Sequence, residues 1–455
     1  MWWRRAVGAL PVAAAMLFVV LAYVFAGSTG RFSFPLIDWQ ESYYASLSEG
    51  FLSGRVSMAH VPDPALVAVP DPYLPELRKG VPSLHDASYF EGRYYLYFTP
   101  LPALLAYIPV KLVAGRYPSD ALVGTLFAIG AFLAQAAFLL RAVRNRRWFW
   151  ILFAGVGNIT LFLLVDIWMY EVAAFCGMFF ASLWAYALLR FHQNATWRTA
   201  ALLGTFLALS IAARPTLLIL GVVTLFALRN WRHAVALAVP VLLVGSMYAA
   251  YNQARFRSPF ETGQQYQLTN VALRDYPACR LCTGPELGRF FNSVNQYLFR
   301  APSVNARFPF VALSYNEYDP AVMFPAKHEE VGGVLAVIPL VGAGALLLLL
   351  VPARDRTATL LTGAGWLTLF GLSTCAWITA RYELDFLPAM VLGSIVAIES
   401  GLAQLNPSRL ARAVVTLLAV YSIVVGTLLG FTGRTQAFNR FNPELFQRIS
   451  GWFSS

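Results

Sequence analysis

Charge is what this sequence has least of. Only 13% of its 455 residues are Asp, Glu, Lys or Arg, about half the usual share for soluble domains. Hydrophobic residues make up 58%, and the mean hydropathy is +0.58. So few charges cannot cover a globular surface, so lipid must solvate much of the chain. A soluble enzyme and a disordered protein are excluded. Cysteine is also scarce. Four residues are too few for a disulfide-rich secreted module. Cys176 and Cys375 lie in apolar runs and read as packing residues. Cys279 and Cys282 form a CRLC pair in a long polar loop, where a local disulfide is favoured over a metal site because no second ligand pair exists. The sequence has no GxGxxG, Walker-type loop, HExxH or GxSxG, which leaves nucleotide, zinc-protease and serine-hydrolase chemistry without support. His60, His85, His192, His233 and His328 show no metal-ligand spacing.

What the chain does have is apolar length. A crossing helix needs about 20 apolar residues. Candidate segments fall at 6–26, 96–114, 119–140, 148–165, 172–189, 199–213, 215–228, 233–250, 331–351, 357–378, 384–400 and 410–431. Short loops between them (Arg4–Arg5, 141–147, 190–198, 229–233, 352–356 and Arg409/Arg412) carry fourteen basic residues and one acid, whereas the long loops 27–118 and 251–330 carry fifteen of each. Basic short loops mark the cytoplasmic side, so the long loops are expected outside. Segment 96–114 then cannot cross. It holds Pro100, Pro102 and Pro109, and reads as an interfacial helix on the outer face. The expected fold is all-α and polytopic, with about eleven transmembrane helices over 1–431 and a short outer tail over 432–455. The N-terminus is expected inside, in an inner, cytoplasmic membrane. A cleaved signal peptide over 6–26 is the rival to an uncleaved anchor. The net charge of +11 is explained by loop bias and anionic headgroups, so no nucleic-acid partner is expected.

Polar groups at or inside a membrane are costly and mark function. Here they gather on the expected outer side. Asp38 and Glu41 follow the first segment, Asp166 and Glu171 flank the turn after 148–165, Arg214 caps a short hairpin, and Arg381, Glu383 and Asp385 open a late segment in RYELDFLP. Each has a plainer reading. Asp38 and Asp166 could be helix caps, Arg214 could snorkel to headgroups, and RYELD could be an internal salt-bridge cluster.

This arrangement resembles the GT-C superfamily of integral-membrane glycosyltransferases, whose relatives include protein mannosyltransferases, lipid A aminoarabinose transferases and oligosaccharyltransferases. Asp38 followed by Tyr43 and Tyr44 looks like the family's acidic first-loop stretch. EGRYYLYFTPLPALLAYIP (91–109) looks like its juxtamembrane segment. Asp166 and Glu171 match a second acidic motif, ARPTLL (213–218) a basic-residue-plus-Pro turn, and RYELDFLP (381–388) the start of a late span. YNQARFRSPFETGQQYQ (251–267) is a pattern associated with uncharacterised bacterial members. Asp-x-x-x-x-Glu stands in place of a tight acidic pair, which weakens transfer of the oligosaccharyltransferases' metal-binding role; a divalent metal stays open but is not supported by the sequence.

The resemblance implies a sugar donor carried on polyprenyl phosphate and an acceptor hydroxyl on a glycan, lipid or protein, with membrane lipids as surroundings. Asp38 would be the general base, with Glu41, Asp166 and Glu171 completing the catalytic carboxylates. Arg214 and Arg381, with Lys327 and Arg93 behind them, would bind the donor phosphate. Tyr43, Tyr44, His85, Tyr266 and Tyr382 would contact sugar and acceptor. A lipid or glycan transporter and a non-catalytic scaffold are the alternatives from other classes. A transporter would carry its charges at the membrane midplane and show repeated halves.

Overall fold

A computed structural model of the chain describes residues 2–273, 284–316, 329–351, 354–375, 377–405 and 408–453, with side chains described from residue 10 onward and again from residue 287. It is a helical membrane protein with little sheet. Among the described residues, six helices are long and apolar enough to cross a bilayer: Leu10–Gly27, Asp120–Ala142, Met169–Gln193, Trp231–Phe256, Ala380–Leu405 and Arg409–Phe441. Shorter apolar helices include Arg147–Val156, Trp197–Ala213, Pro215–Leu225 and Leu340–Leu350.

Helix starts follow local chemistry. Ser119 accepts from the Leu122 N–H, Asn230 from His233 and Asp355 from Ala358, so orphan N–H groups at three helix starts are satisfied by side chains. The core is the packing of Asp120–Ala142 on Met169–Gln193, of Arg356–Leu372 on Glu383–Leu405, and of Trp197–Ala213 on Trp231–Phe256. Trp184, Phe132, Phe138 and Phe175 fill it. Small residues let the helices approach closely. A Cβ added at Gly393 would meet the Thr362 backbone nitrogen at 2.7 Å, and one at Gly426 the Val156 carbonyl oxygen at 2.1 Å.

Three expected segments come out differently. Segment 148–165 is broken into Arg147–Val156 and Thr160–Leu164. Asn158 stabilises the break, donating from Nδ2 to the Ala154 carbonyl while its Oδ1 accepts the Thr160 N–H. Segment 331–351 is split into Val334–Val337 and Leu340–Leu350, with Pro339 between them. Segment 96–114 is helical only from Ala103, through a wide turn (Ala103–Tyr107) into Ile108–Ala114. Its Leu104, Leu105, Leu112 and Val113 are exposed.

The loops sort to the two ends of the bundle. At one end, Arg229 donates to the His192 carbonyl, Arg356 to the Phe226 carbonyl and Arg146 to Thr416. At the other, the long first loop, the turn before Met169, residues 251–273 and 329–333, and the segment after Leu429 meet. Two-residue antiparallel pairings tie the loops: Leu36–Ile37 with Tyr117–Pro118, and Ser314–Tyr315 with Glu330–Val331. The stretch 432–453, expected as a short outer tail, packs on the bundle. Ala437 and Phe438 are fully buried, and Asn442 donates to the Thr29 carbonyl.

Candidate active site

A cavity of about 640 Å³ opens at the end of the bundle where the long loops meet. Asp86 and Tyr97 of the first loop, Asp166, Trp168 and Tyr170 of the turn into Met169–Gln193, and Gln264, Gln267, Thr269, Asn270, Val271 and Leu273 line one part. Glu329, Glu330, Trp377, Arg381, Tyr382, Arg434 and Arg440 line the rest. It is therefore assembled from segments spread over most of the chain.

Asp86 is held from several sides. Its backbone takes a left-handed conformation, φ 60°, uncommon for a residue with a Cβ but tolerated by Asp. Its N–H donates to the Leu268 carbonyl at 3.0 Å, and the Leu268 N–H returns to Ala87 at 3.0 Å, so the 251–273 stretch pins it to the rim. The Tyr170 hydroxyl donates to Oδ2 in a short hydrogen bond, and His85 Nε2 stands 3.4 Å from Oδ1. The Tyr43 hydroxyl fixes this turn by donating to the His85 carbonyl at 2.8 Å.

Elsewhere in the lining, acids and guanidiniums are paired. Arg381 grips Glu329 through two nitrogens, at 2.9 and 3.3 Å, and lies 4.8 Å from the centre of the Tyr170 ring. Burial pushes the Glu329 carboxyl up, but the adjacent Arg381 outweighs this and leaves it below the usual glutamate range. Glu330 accepts the Thr435 N–H at 2.7 Å, and burial holds its carboxyl above that range. Asp166 accepts the Trp168 indole N–H at 2.8 Å and faces Arg434 and Arg440 at 3.3 and 3.4 Å.

The predicted site residues are only partly brought together. Asp166, Arg381, Tyr382 and His85 line the cavity. Glu171 sits behind it against a gap of about 10 Å³, buried, and accepts the Trp168 N–H at 3.0 Å as the third-residue half of a capping box. Arg214 does not face the cavity. It runs along the side-chain-free surface of Gly177 to Asp385, which it meets at 3.0–3.2 Å through Nε and Nη2. Thr216 donates to the same carboxylate at 2.7 Å. The RYELD cluster is thus divided: Asp385 pairs with Arg214, Arg381 with Glu329, and Glu383 accepts the Gly332 N–H at 2.8 Å.

Asp38 is outside the cavity lining. Its side chain is 68% exposed, 3.5 Å from Arg116, and its N–H donates to Glu41 at 2.9 Å. Glu41 therefore closes a local turn. Tyr44 is fully buried and stacks on Tyr107, centroids 5.6 Å apart. Tyr266 packs on Phe90 and Phe256 at 4.8 and 5.7 Å. Arg93 is exposed in the Arg93–Tyr95 strand. Lys327 lies outside the described residues, as do His328 and the Cys279/Cys282 pair.

Sequence reasoning missed Asp86, Glu329, Glu330, Arg434 and Arg440. Polar residues were sought beside apolar segments, and Asp86 lies deep in a loop while Arg434 and Arg440 follow the last segment. HDASYFEGRYY, with an acid before an aromatic hairpin (Ser88–Phe90 pairing Arg93–Tyr95), was the one available signal. The described side chains do not present a divalent-cation site. Among the described residues no three His, Cys, Asp or Glu side chains converge, and Asp166 and Glu329 are already engaged by guanidiniums.

No family profile matches the sequence, and no curated protein matches it. Among solved structures, the chain is similar to the oligosaccharyltransferase of Archaeoglobus fulgidus in its apo form, at 13% identity with a TM-score of 0.52. The alignment covers 97% of this chain and 59% of that one. The chain therefore spans somewhat over half the length of that enzyme, and shares its fold over the aligned part.

Proposed function

We propose that the protein is a membrane glycosyltransferase that moves a sugar from a polyprenyl-phosphate donor to an acceptor hydroxyl of a glycan, lipid or protein. The observation that carries this reading is the cavity that Asp86 lines together with Arg381, Arg434 and Arg440 at one end of the helix bundle. The reaction needs both. A base must take the acceptor proton, and cations must stabilise the departing phosphate. The acceptor oxygen bonds to the anomeric carbon, the bond from that carbon to the phosphate oxygen breaks with its electron pair, and the proton goes to a carboxylate.

Asp38 was the candidate base from the sequence. In our reading that role passes to Asp86, because Asp86 lines the cavity and is oriented by Tyr170, whereas Asp38 lies on the outside against Arg116. In this reading the chain crosses an inner membrane about eleven times with its N-terminus inside, as the basic short loops suggest. The cavity would then open outside, where nucleotide sugars are absent and a lipid-borne donor is required.

The test uses the protein in lipid nanodiscs with a panel of polyprenyl-phosphate monosaccharides and an envelope extract as acceptor, following release of polyprenyl phosphate. Asp86→Asn is expected to lower turnover about 10²–10⁴-fold, the range for loss of a general base, while Asp38→Asn retains most of it. Turnover unaffected by Asp86→Asn, or abolished equally by Asp38→Asn, overturns the base. No turnover of any donor by the wild type counts against the reaction.

A further inference from the structure

Charged and neutral polar groups differ in what they meet in the cavity. Its four carboxylates and three guanidiniums are committed. Arg381 holds Glu329, Arg434 and Arg440 hold Asp166, Tyr170 donates to Asp86, and the Thr435 N–H donates to Glu330. The neutral groups are not committed. Gln267 is only 6% exposed and lines the cavity, yet among the described residues its carboxamide has no hydrogen-bond partner. The carboxamides of Gln264 and Asn270 and the hydroxyls of Tyr97 and Tyr382, on the same lining, also lack partners among the described residues.

This chemistry narrows the ligand. A carboxamide offers two N–H donors and an acceptor oxygen, and a phenol one O–H and an acceptor. Sugar hydroxyls both donate and accept, so these groups pair with them in either sense. An apolar chain would leave the buried Gln267 amide unpaired, which is costly. An extended peptide docks chiefly through backbone hydrogen bonds, and the backbone here is taken. The Leu268 N–H donates to the Ala87 carbonyl and the Leu268 carbonyl accepts from Asp86, while the Thr269 carbonyl accepts from Arg78. Trp168 adds a stacking surface. It is 57% exposed, with its indole N–H fixed on Asp166 and its backbone N–H on Glu171. The polar edge of the ring is satisfied, and its face suits the C–H face of a pyranose.

Gln267 also adjoins the proposed base. It precedes Leu268, which exchanges backbone hydrogen bonds with Asp86 and Ala87 at 3.0 Å each. The hydroxyl that loses its proton to Asp86 belongs to the acceptor, so the carboxamides lie where the acceptor must lie.

We infer that the acceptor is a carbohydrate chain, and that Gln267, with Gln264 and Asn270 beside it, binds its hydroxyls and selects it over lipid and protein. The inference rests on the transferase reading and names the acceptor class within it.

The test follows release of polyprenyl phosphate by the protein in lipid nanodiscs, with the envelope-extract acceptor treated in three ways. Periodate cleaves the vicinal diols of sugars, and is quenched and removed before assay. Protease digests protein, and solvent extraction removes lipid. Periodate treatment is expected to lower turnover at least about tenfold, and protease treatment to leave it unchanged. Gln267→Leu is expected to raise the acceptor KM about three- to tenfold, the loss of one or two neutral hydrogen bonds, with the donor KM unchanged. Asn270→Ala, at an exposed side chain, is expected to raise it about twofold. An acceptor that survives periodate but not protease is a protein, and one that survives periodate but not extraction is a lipid. Either result overturns the inference and leaves the transferase reading standing. An acceptor KM unchanged in both variants overturns the role of the carboxamides. A wild type that releases no polyprenyl phosphate from any donor overturns the inference and the transferase reading together.

Discussion

Arg214 and Asp385 meet inside the helix bundle as a buried two-nitrogen ion pair, although they are 171 residues apart in sequence. The guanidinium is 5.2 Å from the Tyr382 ring, and its stem occupies the space that Gly177 leaves empty. A charge so placed is a structural commitment. Removing one partner leaves the other buried and unpaired.

Arg214→Gln should therefore destabilise the protein strongly, by about 3–5 kcal/mol, the usual cost of breaking a buried pair. Asp385→Asn should do nearly as much. Thermal unfolding in nanodiscs measures both. A Tm within a degree of wild type would show that the pair is not a strut and would return Arg214 to consideration as a ligand for phosphate.

Glu329 should give the folded protein an acid limit. Its carboxyl is held below the usual range by Arg381, despite burial. A depressed carboxyl contributes stability that is full above its unfolded pKa and is lost as pH falls through the lower folded value. Stability should fall as pH drops below the ordinary glutamate pKa of about 4.3, and Glu329→Gln should be less stable at neutral pH with a flatter acid arm. Equal acid slopes in both proteins would contradict this.

Tyr170 donates to Asp86, so it positions the proposed base. Tyr170→Phe should reduce kcat about tenfold, the effect of losing roughly 1.4 kcal/mol of orientation, with KM for the donor little changed. A rise in KM at constant kcat would place Tyr170 in substrate binding instead.

Glu171 should behave as a helix cap. Glu171→Ala removes the acceptor of the Trp168 N–H and should cost about 0.5–2 kcal/mol. Glu171→Gln keeps an acceptor oxygen and should retain most activity. Loss of turnover in Glu171→Gln with unchanged stability would restore a catalytic part for it.

Gly426→Ala should perturb the helix break at Asn158. The added Cβ would meet the Val156 carbonyl oxygen at 2.1 Å and the Asn158 oxygen at 2.8 Å. Backbone cannot yield as a side-chain tip does, so a cost of at least about 1–3 kcal/mol is expected. Wild-type thermal stability of the variant would mean that the Arg409–Leu429 helix can shift away from the break.

Apolar segments were legible because hydropathy is local. The run predicted at 119–140 is the helix Asp120–Ala142, and 172–189 lies within Met169–Gln193. The break at Gly157–Asn158 was not legible, since an apolar run reads the same whether its hydrogen-bond ladder is continuous or re-satisfied by one Asn side chain. Of the site, the gathering of the long polar loops at one end of the bundle was readable. The partners of their polar residues were not. Asp38 and Arg214 have the composition of site residues, yet one closes a surface turn and the other a buried pair.

By itself the sequence determined that lipid is the solvent, roughly where the helices run, and at which end the polar loops gather, because each follows from the transfer energy of a short stretch of chain. Only the tertiary structure decided which carboxylate meets which guanidinium. Asp166 and Arg434 are 268 residues apart, and an ion pair depends on the distance between two side chains, which folding alone sets.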